Sequence, residues 1–438
     1  MTEHAFPTVP RAERTAWRAR LFRFLAFART EYGVVSLALA AIGLHIVDDN
    51  YLQPARGTSP LDHLASGLTP LAILAAVAAG YSHLRAGLRA TVAMTFGALG
   101  IAVGVPGAYY LFKGAASGDH YTGLLALAAG VVLFLTGPVV LWKARRRGGS
   151  RRRRYLGRLA TTGITIVAAP LLFVFVVFAI GFSYIYTHTG RTAEPPTALG
   201  TAYESVVVPT SDGLDLAASY VPSRNGAAVV VYPGLSAVEE AAMMARHGYG
   251  VLLLDPRGQG GSEGDTVRWQ GDRDLIAGAK YLQSRPDVDD DRIAGFGSSV
   301  GGEQLLEAAA QSTAFRAVVS EGAGERVGEM DASGFEQATA TPLMAIMTAA
   351  VTIFGNDAPP PPIVDRIGRI APRPVFLIYA EPGMGGEDYR QPQYFAAAGE
   401  PKQMWKVPGS GHTGGIHAQP AEFERRVIEF LDRSLGIS

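Results

Sequence analysis

Arg292-Ile293-Ala294-Gly295-Phe296-Gly297-Ser298-Ser299-Val300-Gly301-Gly302-Glu303-Gln304-Leu305-Leu306 is the stretch on which the reading of the chain's second half turns. Its first six residues read as a buried strand, and the run from Glu303 to Ala310 reads as a helix. Between them, Gly297-Ser298-Ser299-Val300-Gly301 fits the pattern G-x-S-x-G. Only one register is available, because for Ser298 to be the central serine both Phe296 and Val300 would have to be glycine. A serine on a sharp strand-to-helix turn holds its backbone in a strained conformation. Gly297 and Gly301 remove the side chains that would collide around it. In a chain with 52 glycines such a pentapeptide arises easily by chance, so its weight comes from the flanking elements and from the partners downstream.

A serine hydroxyl is nearly inert at neutral pH and needs a base to take its proton as it attacks a carbonyl. His412 is the candidate base. It lies in Val407-Pro408-Gly409-Ser410-Gly411-His412-Thr413-Gly414-Gly415, where glycines on both sides let the imidazole loop come close to the nucleophile. His417, already near the final helix, is the substitute.

Outward from this core, Gly190-Arg191-Thr192-Ala193-Glu194-Pro195-Pro196-Thr197 has the composition of a linker. Beyond it strands and helices alternate. Glu204 to Thr210 and Leu214 to Val221 flank the hairpin signal Ser211-Asp212-Gly213. Apolar strands follow at Ala227 to Tyr232, Gly250 to Asp255, Ala317 to Ser320 and Pro374 to Tyr379, with a short one at Gln403 to Val407. Helices are expected around Glu239 to Arg246 and Asp272 to Gln283, and an amphipathic helix over Ala421 to Leu435 closes the chain. Apolar strands that do not alternate, interleaved with helices, indicate a mostly parallel sheet covered on both faces.

From about residue 200 onward the chain resembles the α/β-hydrolase superfamily. The resemblance rests on Tyr232-Pro233-Gly234, Asp255-Pro256-Arg257-Gly258-Gln259-Gly260-Gly261-Ser262, the turn at Ser299, and Gly411-His412, in matching order and spacing. It implies a doubly wound, eight-stranded, mostly parallel sheet with catalytic residues at the carboxyl ends of strands. It also implies an oxyanion hole built from the backbone N–H groups of Leu235 and Val300, and no metal or organic cofactor. The acid that orients the imidazole should follow the Pro374 to Ala380 strand. An aspartate is usual about three residues past that strand in the family, but Gly383 occupies the region here. The available carboxylates are Glu381, Glu387 and Asp388, with Glu387 preferred. Tyr232 stands where the family often has histidine, and Asp255 and Arg257 are expected to brace the turn after the fourth strand. Residues 322–373 are expected to form a small cap containing an apolar helix over Ala340 to Phe354. Met330, Phe335, Met344, Met347 and Phe354 either line an acyl pocket or pack the cap onto the core.

The first half has a different character. The mean hydropathy of +0.15 and the 48% hydrophobic content are high for a soluble protein, and the excess lies before residue 190. Apolar runs at Tyr32 to Val47, Ser66 to Tyr81, Leu88 to Phe112, Tyr121 to Trp142 and Leu159 to Tyr186 approach the roughly 20 residues needed to cross a bilayer. Five transmembrane helices are expected over 32–189, after a basic arm at 1–31, with 190–199 as linker and 200–438 as the hydrolase domain. This membrane domain resembles no family we can name. The basic arm (Arg11, Arg14, Arg18, Arg20, Arg23, Arg29), the Arg85 and Arg89 loop and the Arg151 to Arg154 run alternate with acidic or neutral loops. Alternation of this kind places the N-terminus in the cytoplasm and the hydrolase domain outside. No cleavable signal peptide is expected, because the first long apolar run starts after about thirty residues. Between two spans the arginine run reads as a topology determinant beside anionic lipid more readily than as a nucleic-acid patch. His45, Asp48, Asp49, Asp62 and His63 gather near the first outer loop, but their spacing matches no compact metal motif. They read as a polar membrane boundary.

The chain has 438 residues, a formal net charge of +0 and no cysteine. That excludes disulfides, thiolate catalysis and Cys-ligated zinc, and gives no overall bias toward nucleic acid. The expected partners are a lipid bilayer and a small-molecule or lipid ester. The leading expectation is a multi-pass membrane serine hydrolase that cleaves carboxylic esters through an acyl-enzyme. Ser299 would be the nucleophile, His412 the base and Glu387 the orienting acid. The alternatives are an acyltransferase with the same triad and an inactive hydrolase-fold scaffold or sensor, the latter suggested by Gly383.

Overall fold

The computed structural model describes residues 22–116, 118–144, 155, 157, 167–189, 196–234, 236–265, 269–326, 334–381, 383–384 and 386–437. The chain divides into two units, Met1–Gln53 with His63–Ile185 and Pro54–Asp62 with Tyr186–Ser438.

Five helices among the described residues are long and apolar enough to cross a membrane: α1 (Glu31–Leu52), α2 (Leu64–His83), α3 (Ala86–Phe112), α4 (His120–Lys143) and α5 (Val167–His188). They contain the expected runs, except that the start expected at Leu159 lies outside the described residues. The first expected span is longer than its apolar run suggests, because α1 runs on through a π-helical turn, Asp48–Leu52. Its polar groups find partners inside the unit. The Asp48 carboxylate accepts from Gln53 Nε2 at 2.9 Å and from Thr122 Oγ1 at 2.7 Å. His45 lies between Thr122 Oγ1 (3.1 Å from Nδ1) and the Tyr184 hydroxyl (3.2 Å from Nε2). Polar groups at membrane depth persist when so satisfied. Among the described residues no three His, Asp or Glu side chains converge as metal ligands.

Helices α3 and α4 meet through glycine. A Cβ on Gly97 would lie 2.4 Å from Phe134 N, and one on Gly130 would lie 2.5 Å from Ile101 N. Small residues of this kind let two apolar helices bring their backbones together and gain dispersion contacts that lipid does not supply.

The second unit is built on one eight-stranded sheet of order β1-β2-β4-β3-β5-β6-β7-β8. The strands are β1 (Glu204–Pro209), β2 (Asp215–Val221), β3 (Ala228–Tyr232), β4 (Gly250–Leu254), β5 (Ile293–Ser298), β6 (Ala317–Glu321), β7 (Val375–Ala380) and β8 (Lys402–Val407). The β1–β2 and β2–β4 pairs are antiparallel and every pair from β4 to β8 is parallel. The helices are α6 (Val238–Arg246), α7 (Gly271–Gln283), α8 (Val300–Gln311), α9 (Gly334–Phe354), α10 (Glu387–Ala397) and α11 (Pro420–Leu435).

The central strands β3, β4 and β7 are apolar throughout because both faces of the sheet are covered there. Val230, Leu252, Val318 and Leu377 join one core with residues of α7 and α8. Their alternates Val229, Val231, Phe296, Val319 and Ile378 join a second core with α6 and α11. Helix α11 buries Phe423, Val427, Phe430 and Leu431 along one stripe, starts at Pro420 and ends at Gly436, whose φ is 64°. Helix α9 buries Met347, Ala350 and Val351. Met330 and the side chain of Phe335 lie outside the described residues.

Candidate active site

Parallel pairing sets the carboxyl ends of β3, β5, β6 and β7 in adjacent register: Tyr232 opposite Gly297, Ser298 opposite Glu321, and Glu321 opposite Ile378. The turns that leave these strands therefore gather along one edge of the sheet, where open α/β sheets carry their sites.

Ser299 occupies the turn between β5 and α8 with φ 54° and ψ −125°, a conformation costly for any residue with a side chain. Its neighbours explain how it is held. A Cβ on Gly297 would lie 2.3 Å from Gly301 O, and one on Gly301 would lie 2.1 Å from Tyr232 O. The Ser299 amide donates to Glu321 O at 2.7 Å. Val300 opens α8, so its N–H belongs to the first turn, whose amides have no intrahelical acceptor. Leu235, the other expected oxyanion donor, lies outside the described residues.

His412 Nε2 is 2.8 Å from Ser299 Oγ. On its far side, Nδ1 is 3.2 Å from Glu387 Oε2. The two atoms are within ion-pair range without meeting hydrogen-bond geometry. The Glu387 side chain is fully buried, and its Oε1 accepts from Met384 N at 3.3 Å. Gly383 makes room for it, since a Cβ there would come 2.1 Å from Glu387 Cγ. The missing aspartate of the resemblance is thus replaced by a longer acid reaching back from the first residue of α10. Of the other carboxylates, Glu381 pairs with Lys406 on the surface, and Asp388 is exposed. His417 is also exposed, 3.4 Å from Glu239.

The residues expected to brace the site do so. The buried Arg257 bonds Asp274 through Nε at 2.9 Å and Nη2 at 2.7 Å, and Asp212 through Nη1 at 2.9 Å. Asp212 is half-buried, which opposes its charge, yet hydrogen bonds from Arg257 and Thr210 hold its carboxyl well below the usual range. The Tyr232 hydroxyl donates to Asp274 Oδ2 at 2.8 Å, so this ring belongs to the bracing network. Asp255 accepts from Gly261 N at 2.9 Å.

Two residues escaped the sequence reading. Ser298 Oγ accepts from Gly234 N at 3.1 Å and donates to Ser236 O at 3.0 Å, tying the loop after β3 to the nucleophile turn. Glu321, the last residue of β6, is 2% exposed, and its Oε1 accepts from Gly415 N at 3.0 Å. Its signal was a carboxylate at the carboxyl end of a parallel strand. A cavity of about 580 Å³ lined by Thr210, Asp272, Arg273, Lys280 and Asp357 includes none of Ser299, His412 or Glu387 and plays no part in this site.

The prolyl oligopeptidase family model matches residues 235–343, a span that contains the Ser299 turn. An uncharacterized protein of Mycobacterium tuberculosis H37Rv is 31% identical over 224 residues, covering 48% of this chain and 73% of that protein. A thiohydrolase of Aspergillus aculeatus is 29% identical over 191 residues, covering 40% of this chain and 58% of that protein. Among solved structures, a Pyrococcus furiosus esterase is 21% identical with a TM-score of 0.47, covering 56% of this chain and 97% of that chain. Strand order and the strained turn give the second unit an α/β-hydrolase fold, and the family-model match over 235–343 lies within it. The chain belongs to the same family as the mycobacterial protein.

Proposed function

We propose that this is a multi-pass membrane protein whose hydrolase unit cleaves carboxylic esters through a serine acyl-enzyme. The observation that carries the reading is the 2.8 Å contact between His412 Nε2 and the hydroxyl of the strained Ser299. As Oγ attacks the ester carbonyl carbon, Nε2 takes its proton. The carbonyl oxygen becomes an oxyanion facing the amides of Val300 and Leu235. The buried Glu387 carboxylate stabilises the imidazolium and fixes its orientation. The bond from the carbonyl carbon to the alkoxy oxygen then breaks, and the proton passes from Nε2 to the departing alcohol. Water, deprotonated by the same nitrogen, attacks the acyl carbon, and the bond from that carbon to Ser299 Oγ breaks as Nε2 returns the proton to Oγ, releasing the carboxylic acid.

The inactive-scaffold alternative drew on Gly383, and Glu387 beside the imidazole takes that support away. Anchoring is supported by the five apolar helices. The alternation of basic loops supports an extracytoplasmic hydrolase unit, next to which a lipid or lipid-linked ester is a natural substrate.

The test is turnover of a p-nitrophenyl acyl-ester series by detergent-solubilised full-length protein. Burst release of nitrophenol followed by slower steady turnover is expected, with both phases abolished in Ser299→Ala. Equal turnover by wild type and Ser299→Ala contradicts the reading.

A further inference from the structure

Glu321 joins both halves of the candidate relay. Its backbone carbonyl accepts from Ser299 N at 2.7 Å, and its carboxylate accepts from Gly415 N, three residues beyond His412, at 3.0 Å. A Cβ on Gly415 would lie 2.8 Å from Oε1, so the His412 loop is seated directly on this carboxyl group. The adjacent Gly322 closes the space from the other side. A Cβ there would lie 2.9 Å from Glu387 Oε2 and 3.2 Å from His412 Cε1.

We propose that Glu321 is a positioning residue that works as a neutral carboxylic acid, seating the His412 loop through Gly415 N. This rests on the serine-hydrolase reading of the site. The surroundings argue for the neutral form. The side chain is buried, and Oε2 has no hydrogen-bond partner among the described residues. The charged groups acting on it are Glu240 of α6 and Glu387 of α10, both acidic. His412 approaches from the loop side, and on α8 the Glu303 carboxylate accepts from Gly324 N at 3.3 Å. A third anion beside Glu240 and Glu387 would be poorly solvated and repelled by both. Burial first, then the Glu240 charge, push the Glu321 carboxyl up to about 8. The Gly415 N–H bond by itself favours the anion, but burial and the two neighbouring carboxylates outweigh it, so an ionised Glu321 is displaced from its buried place and the His412 loop moves with it.

The experiment compares wild type, Glu321→Gln and Glu321→Leu in full-length protein, using kcat and KM for an activated ester from pH 6 to 10 and labelling by a fluorophosphonate. Gln keeps an acceptor for Gly415 N but cannot ionise, so Glu321→Gln should match wild type at pH 7 and lack the alkaline fall in kcat near pH 8. Leu keeps the volume and loses the acceptor, so kcat should drop at least tenfold at pH 7 with KM little changed. An alkaline limb in Glu321→Gln identical to that of wild type overturns the proposal, as does undiminished kcat in Glu321→Leu. If wild type itself neither turns over ester nor takes the label, the serine-hydrolase reading has failed. If wild type is active and labelled while the variants follow it at every pH, only the role of Glu321 has failed.

Discussion

The proposed acid, Glu387, stands where the resemblance leads us to expect an aspartate nearer to β7. Sequence placed the orienting carboxylate somewhere after β7, and Gly383 left three candidates open. What separates them is three-dimensional: Glu381 turns to Lys406, Asp388 to solvent, and Glu387 inward over the space that Gly383 vacates. Glu387→Gln removes the charge but not the shape, and kcat is expected to fall by on the order of 10⁴-fold with KM little changed, read from steady-state ester kinetics. Glu321 also governs stability. Its folded pKa of about 8 lies above the ordinary 4.5, so between these values the native state holds a proton that the unfolded state has released. Stability from this group is full below about pH 4.5 and is lost as pH rises through 8. Denaturant midpoints of wild type should therefore decline across that window, and those of Glu321→Gln should decline less. Asp212, held low beside Arg257, acts oppositely, adding stability above its ordinary pKa that is lost in acid.

Elements were most legible where packing is two-sided. The apolar strands and the helices between them followed from continuous hydrophobic runs, because α6, α7, α8 and α11 cover both faces of the sheet. Less legible was α1, whose helix continues through Asp48 and Asp49. Hydropathy counts those charges against a span, whereas Thr122 and Gln53 satisfy Asp48 from inside the unit. Nor did sequence reveal that α3 and α4 touch at Gly97 and Gly130. Gly130→Leu should separate these helices and lower the melting temperature of the purified protein, while Gly80→Leu, where a Cβ meets nothing within 4 Å, should leave it unchanged. In the nucleophile turn, Gly301→Ala drives a Cβ into the Tyr232 carbonyl. Esterase activity should be lost even if the circular-dichroism spectrum is retained.

At the scale of the whole molecule, two units of unlike chemistry share one chain: apolar helices that fit a bilayer and a sheet whose edge carries a serine, a histidine and an acid. The charge alternation that orients the first unit predicts that the second faces outward. A C-terminal epitope should then be removed by protease added to intact cells, and protection until lysis would reverse the topology. Substrate was not legible in the sequence, because the proposed relay would act on an ester group common to many molecules. The central claim is that Ser299 is activated by His412. Its most direct test is to treat the full-length protein with a fluorophosphonate and locate the adduct by peptide mass spectrometry. One adduct on Ser299, absent in His412→Ala, is the result expected. A wild-type protein that stays unmodified at Ser299, or labels equally well without the imidazole, contradicts the account.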